Sequence, residues 1–333
     1  MKKFFALILA LVMALSLVAC GGGSNGDNGG SDVKAKLRFV TGGESGTYYA
    51  FGSVIAQHAT NNAGVDVVGL VGNGSQSNVQ ELQDGNAELA FCQSDVMAYA
   101  YNGTNIFADH GKVDCFSTVA ALYMEQVQIV TVDPTIKTVE DLAGKKVSVG
   151  AAGSGVYFNA KDILTAYGLG DVNENDEFTQ INATYQSFGD SANDLKDGKI
   201  DAAFIVAGAP TTAVTDLATT KDVHLVSLDD EHIDKLIAES PYYSKTTISG
   251  AYEGTPDATT VAVGAVVIAR DDVSEDDVYN FISTVFENID TITQAHAKGA
   301  ELNLEFAASY AAVPYHPGAA KYFAEKGITV PTK

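Results

Sequence analysis

The sequence predicts an α/β protein with parallel strand pairing, helices on both faces of its sheets and two lobes. One unit recurs along the chain: a short apolar strand, a turn rich in Gly, Ser, Asn or Thr, then a helical pattern. Strands alternating with helices in this way build parallel sheets. About 300 residues follow Val33, more than one hydrophobic core usually serves, so two lobes are expected.

The first segment is not part of that pattern. Met1-Lys2-Lys3 precedes an apolar run from Phe4 to Val18, and residues 17–20 read Leu-Val-Ala-Cys. A basic start, a short apolar stretch and a small residue before the cleavage point are read as a secretory signal, here residues 1–19. Cys20 then stands where bacterial lipoproteins carry their acyl chains. The run is too short for a membrane span of the mature chain. Gly21–Ser31 has no apolar residue to bury, so 20–33 reads as a lipidated cysteine and flexible linker. Acyl chains anchor at about 0.8 kcal/mol per buried methylene. The expected location is extracytoplasmic, at the cell membrane, with little access to ATP, NAD or nucleic acid.

The recurring units follow in order. Leu37–Thr41 leads through the turn 42–47 into a helix over Tyr48–His58. Val65–Val71 leads through 72–77 into Asn78–Gln83. Leu89–Cys92 leads through 93–95 into Val96–Tyr101. Lys146–Val149 leads through 150–155 into Val156–Tyr167, and Ala202–Ala207 through 208–210 into Thr211–Thr219. Parallel sheets bind ligands beyond the carboxyl ends of their strands, where all five turns lie. Small residues there let a ligand approach the backbone. Ser, Thr and Asn are expected to cap the following helices. Free helix-start amides and the helix dipole favour an anion. This logic selects Asn73, Ser75 and Gln76, the Ser154–Val156 helix start, and Pro210 in the last turn.

Charge narrows the partners. The chain has 20 basic and 42 acidic residues, a net charge of −22. Such a surface disfavours nucleic acid and anionic lipid. It also repels an anionic ligand, so the site must compensate locally. The only arginines, Arg38 and Arg270, sit in or at the end of apolar strand-like runs and read as structural ion pairs. Lys161 falls inside a helix and reads as a solvated side chain.

Other chemistries find little support. Gly150–Gly155 runs Gly-x-x-Gly-x-Gly, neither the dinucleotide fingerprint nor a P-loop. Gly153-Ser154-Gly155 lacks the spacing of a nucleophile elbow. The acidic runs at 229–231, 271–272 and 275–277 sit at helix starts and suit dipole compensation. His316, before a helix start, reads as a local hydrogen-bonding residue. No Cys/His cluster suggests a metal. Cys92 reads as a buried small hydrophobe, and whether it pairs with Cys115 is left open. No cofactor, no catalytic residue and a monomer are expected.

These segments together carry a resemblance. Gly42–Tyr49, Ala87–Asp95, Leu122–Val127, Asp141–Gly150 with Gly153–Gly155, Asp197–Phe204 and Val313–Ala319 occur in order over nearly the whole mature chain. The chain resembles the extracytoplasmic solute-binding proteins of tripartite ATP-independent periplasmic (TRAP) transporters, in their TAXI branch. The resemblance implies a two-lobed type II periplasmic-binding-protein fold, each lobe a mixed sheet, with two crossing strands as hinge. Lobe one is then 34–125 plus 260–333 and lobe two 126–259, with crossings near Gln126–Val132 and Thr259–Ala269. It implies a small carboxylate or amino acid as ligand, glutamate-like favoured, delivered to an ion-gradient-driven permease. Matching motifs assign ligand contact to Ser45, Gly46, Thr47, Tyr48, Gln93, Ser154 and Gly155. Met124 departs from the proline expected there. The binding protein of an ATP-driven importer, and a sensory or enzymatic lipoprotein on the same fold, are the alternatives.

Replacing Cys20 by Ala is expected to block lipidation and release the protein from membrane fractions. Full retention of a signal-cleaved Cys20→Ala protein on membranes would contradict the lipoprotein reading.

Overall fold

The computed structural model describes residues 36–108 and 111–333. The expected signal peptide, Cys20 and the linker lie outside these residues. The first third of the described chain runs β1 (Lys36–Val40), α1 (Thr47–Asn62), β2 (Asp66–Leu70), α2 (Ser75–Gln83), β3 (Leu89–Gln93) and α3 (Ser94–Asn102). The long strand β4 (Phe116–Thr131) follows. Then come β5 (Lys146–Ser148), α4 (Val156–Ala166), β6 (Asn182–Thr184), α5 (Phe188–Lys196), β7 (Ala202–Ala207), α6 (Thr212–Ala218), β8 (His224–Val226), α7 (Asp230–Glu239) and β9 (Ser244–Ile248). A second long strand, β10 (Ala258–Arg270), precedes α8 (Glu275–Phe286), α9 (Ile289–Ala295), α10 (Leu304–Ala307) and α11 (Pro317–Glu325).

All ten strands join one continuous sheet, ordered β2-β1-β3-β10-β4-β7-β5-β6, with β8 on β4 and β9 on β10. The β1–β2, β1–β3, β5–β6 and β5–β7 pairs are parallel, as the alternating pattern predicts. The two long strands run antiparallel to their neighbours and make the sheet mixed. They are shared. Residues 116–126 of β4 pair with β10, and 126–131 pair with β7. On β10, 258–262 pair with β9 and 265–269 with β3. β4 thus starts at Phe116, well ahead of the expected crossing at Gln126–Val132, and the apolar run Val119–Tyr123 belongs to the same strand.

Side chains of a strand alternate between faces, and four hydrophobic clusters record that alternation. Phe39, Phe91 and Val267 enter one cluster with α1 and α8; their neighbours Val40, Cys92 and Val266 enter another with α2 and α3. Further along, Phe204 and Val206 join Val147 and Ile163, while Ala203 and Ile205 join Leu195 and Val214. Helices therefore cover both faces at both ends of the sheet. Because strands buried on both faces read as continuous apolar runs, β4 and β10 carry few exposed polar residues.

Both arginines are held in ion pairs at the edge of this framework. Arg38 pairs with Glu88 at 2.6 Å, and Arg270 with Asp272 at 2.6 Å. Cys92 is buried and Cys115 half-buried, and both are free thiols. His316 caps α11, its Nδ1 accepting from the Gly318 amide at 3.3 Å.

One residue breaks the division of the clusters. Phe158, on α4, is 2% exposed and packs among Val79, Met97, Phe116 and Ile268. Phe158→Ala is expected to cost about 3 kcal/mol by removing a large buried side chain. Urea unfolding measures it, and a loss below about 1 kcal/mol would contradict this seat.

Candidate functional site

A cleft of about 440 Å³ opens where the carboxyl ends of the strands meet the helix starts. That volume is within the range of small-molecule sites. Ser45, Gly46, Thr47, Tyr48, Asn73, Ser75, Gln93, Ser154, Gly155 and Val156 line it, so ten of the twelve sequence-selected residues are brought together. Gln76 and Pro210 are not among the lining residues. Gln76 lies one residue inside α2 and is half-buried, and Pro210 is exposed beyond β7.

The helix starts correct one expectation. Ser, Thr and Asn of the five turns do not cap: α1, α2, α3, α4 and α6 have no side-chain cap hydrogen bond. Away from these turns, Ser187, Asp229, Ser274, Asn303 and His316 do cap α5, α7, α8, α10 and α11. At α1, α2 and α4 the N-cap is glycine: Gly46, Gly74 and Gly155. A glycine has no side chain to offer the amides, so apart from Ser77 and Phe158, whose amides donate to the Gly153 and Gly155 carbonyls, the first-turn donors stay open to a ligand. All three N-caps line the cleft.

Not every polar side chain here is free. Thr47 Oγ1 donates to the Gly208 carbonyl at 2.8 Å. Ser75 Oγ accepts from the Gln93 amide at 3.0 Å. Tyr48 OH donates to Glu125 Oε2 at 2.6 Å. Among the cleft-lining residues two buried side-chain atoms are left unpaired, Ser154 Oγ and Gln93 Oε1. Such orphans in a native fold call for a partner.

The two sides of the cleft are latched together. The Ser77 amide donates to the Gly153 carbonyl at 2.9 Å, and the Ala213 amide to the Ser45 carbonyl at 3.1 Å. Asn159 on α4 sits at the centre. Its Oδ1 accepts from Gln93 Nε2 at 2.9 Å, while its Nδ2 donates to Asp95 Oδ2 and Tyr243 OH, each at 2.9 Å. The sides approach closely at Gly155: a Cβ there would lie 1.5 Å from Gln93 Oε1.

Sequence reasoning missed several lining residues. Gln186, Phe188 and Asn193 follow β6, which is three residues long with no apolar run, so the strand–turn–helix pattern did not flag it. Ser187 with Asp190 three residues on was the available signal, and that pair does cap α5. Glu125 was inside the Leu122–Val127 segment, but nothing local marks it as facing a cleft. Met124 accepts a hydrogen bond from Tyr310 OH through its sulfur at 3.4 Å. No cluster of metal-ligating residues occurs among the described residues, and no described helix is long and apolar enough to cross a membrane.

Comparison with known proteins agrees with this geometry. The family model of the NMT1-like family matches residues 39–327. The chain belongs to the NMT1-like family. Among solved structures it is similar to an ancestral arginine-binding protein bound to arginine, at 16% identity and TM-score 0.50, over 80% of this chain and 98% of that one. It is also similar to a structure described as a periplasmic transporter, at 12% identity and TM-score 0.52, over 81% and 88% of the two chains. At these identities the likeness is one of fold: this NMT1-like chain has the two-lobed type II periplasmic-binding-protein fold.

The latch carries a pH dependence. Asp95 is fully buried, and burial pushes its carboxyl up to about 7. The fold then keeps a proton that the unfolded chain loses near pH 4. Stability from this group is complete below about pH 4 and is lost as pH rises through about 7. In thermal unfolding between about pH 5 and pH 8, Asp95→Asn is expected to decline less than the unaltered protein. Parallel declines would contradict the assignment.

Proposed function

We propose that this chain is an extracytoplasmic solute-binding protein, lipid-anchored through Cys20, that captures a small carboxylate or amino acid, glutamate-like favoured. It delivers that ligand to the ion-gradient-driven permease of a TRAP transporter of the TAXI branch. In this reading lobe one is 34–125 plus 260–333, lobe two is 126–259, and the ligand is enclosed between them. It is a binding protein, with no chemical step of its own.

One observation carries the reading. Three glycine-capped helix starts converge on a single cleft that also holds the buried, unpaired hydroxyl of Ser154. Helix-start amides and a hydroxyl are what hold an anion where no cation is present. Lys161 does not serve here: its Nζ pairs with Asp176 at 2.8 Å and the residue is not in the cleft. Hydrogen bonds to a charged group contribute about 1.5–3 kcal/mol each. Several of them reach micromolar affinity, which needs about 8 kcal/mol net.

The first test is a thermal-shift screen of dicarboxylates, acidic amino acids and their amides. A bound ligand at about 100 times its dissociation constant adds about 2.7 kcal/mol to stability. Flat melting curves across the screen, on protein shown to be ligand-free, contradict the proposal. Calorimetry with the ligand so found then separates two models. Ser154→Ala is expected to weaken binding about ten-fold, and substitution of Gly155 by a bulky residue to do worse. Lys161→Ala is expected to leave affinity unchanged. Loss of binding in Lys161→Ala with a silent Ser154→Ala would replace the backbone-amide account by a cationic one.

A further inference from the structure

The floor of the cleft holds a carboxyl that an anion site does not use. Glu125 lines the cleft on β4 and is 2% exposed. Its one protein hydrogen bond through the carboxyl is from Tyr48 OH to Oε2. Lys298, buried nearby, is ion-paired with Glu301 and lies over the Tyr123 ring; it acts on Glu125 through space and makes no hydrogen bond to it. Neither arginine is in the cleft, and among its lining residues there is no Lys, Arg or His, while Glu44 and Asp190 add two more carboxylates. Gln93 Oε1, also a cleft residue and buried, is an acceptor with no donor. The cleft therefore offers two kinds of recognition. Open amides and Ser154 Oγ suit a carboxylate. Glu125 and Gln93 Oε1 suit a donor carrying positive charge.

We propose that Glu125 is the specificity-determining residue of this cleft, docking the protonated amine of an amino acid and excluding plain carboxylates of the same size. The inference rests on the solute-binding reading above and narrows its ligand class to amino acids. Burial, opposed by the Tyr48 hydrogen bond and by Lys298, with Asp95 adding to it, pushes the proton affinity of the Glu125 carboxyl up, so its ionised form is favoured only with a further cation beside it. An incoming ammonium supplies the missing counter-charge, with donors to spare for Gln93 Oε1. A deaminated acid of the same size carries a hydrogen where the ammonium would sit, so Glu125 and Gln93 Oε1 gain neither a counter-charge nor a donor from it.

The test compares matched pairs by calorimetry: L-glutamate with glutarate, L-glutamine with its deaminated acid, and L-leucine with 4-methylpentanoate. In the unaltered protein the amino acid of any binding pair is expected to bind about 30-fold tighter or more than its deaminated partner. Glu125→Gln is expected to reduce that ratio at least about ten-fold, through the amino acid alone. A deaminated acid that binds as tightly as its amino acid overturns the inference while leaving the solute-binding reading intact. So does a Glu125→Gln variant that weakens both members of a pair equally, which is the mark of a structural role. Should that variant not fold, the ratio in the unaltered protein decides. Binding of no member of any pair ends the solute-binding reading and this inference together.

Discussion

Everything in this fold hangs from the antiparallel pairing of β4 with β10. Residues 116–126 of one strand and 262–270 of the other form the middle of the sheet. Each then continues past the shared segment into the other end, where β7 and β8 pair with β4 and β9 pairs with β10. Register shifts fall between Ala265 and Val266 and between Val267 and Ile268. An irregularity of this kind bends a strand and increases its twist, so the two ends face each other across the cleft. Gly264 serves the same segment: a Cβ there would lie 2.5 Å from the Tyr310 ring. A sheet carried by two strands through its centre is stiff within each end and is weakest where only those two strands cross.

Among the polar contacts across the cleft, those of Asn159 are buried. Asn159 meets Gln93, Asp95 and Tyr243, and all four are nearly or fully inaccessible. Buried polar groups are costly when unpaired, so this arrangement favours one relative placement of the two sides. Phe158 adds apolar area beside it. Among the cleft-lining residues, Ser154 Oγ and Gln93 Oε1 are the buried side-chain atoms left without a partner.

Electrostatics divides by distance. A net charge of −22 sets a repulsive field for anions far from the surface, but salt screens exposed charges within about 8–10 Å. Inside the cleft the local groups decide. Glycine N-caps offer the first amides no side-chain acceptor, and these amides carry the positive ends of three helices. Arg38 and Arg270 are committed to Glu88 and Asp272, far in role from any ligand.

The sequence alone determined the strand–turn–helix units, because apolar runs of five residues and glycine-rich turns are local patterns. It also placed ten of the cleft residues, since turns at the carboxyl ends of parallel strands must converge. Arg38 and Arg270 were legible as structural, since each sits in or beside an apolar strand. Only the tertiary structure decided the rest. Whether Thr47 and Ser75 are free or bound depends on Gly208 and Gln93, which are remote in the chain from Thr47 and from Ser75. Capping failed as an expectation because the residue that reaches N-cap position at three helices is glycine, one place away from the hydroxyls. Gln186 and Phe188 escaped because β6 is too short to carry a periodic signal. Glu125 escaped for a deeper reason. A carboxylate in an apolar strand has the same local sequence whether it faces solvent, a partner or a cleft, and only the packing of α1 and β7 beside β4 makes it the floor of this one.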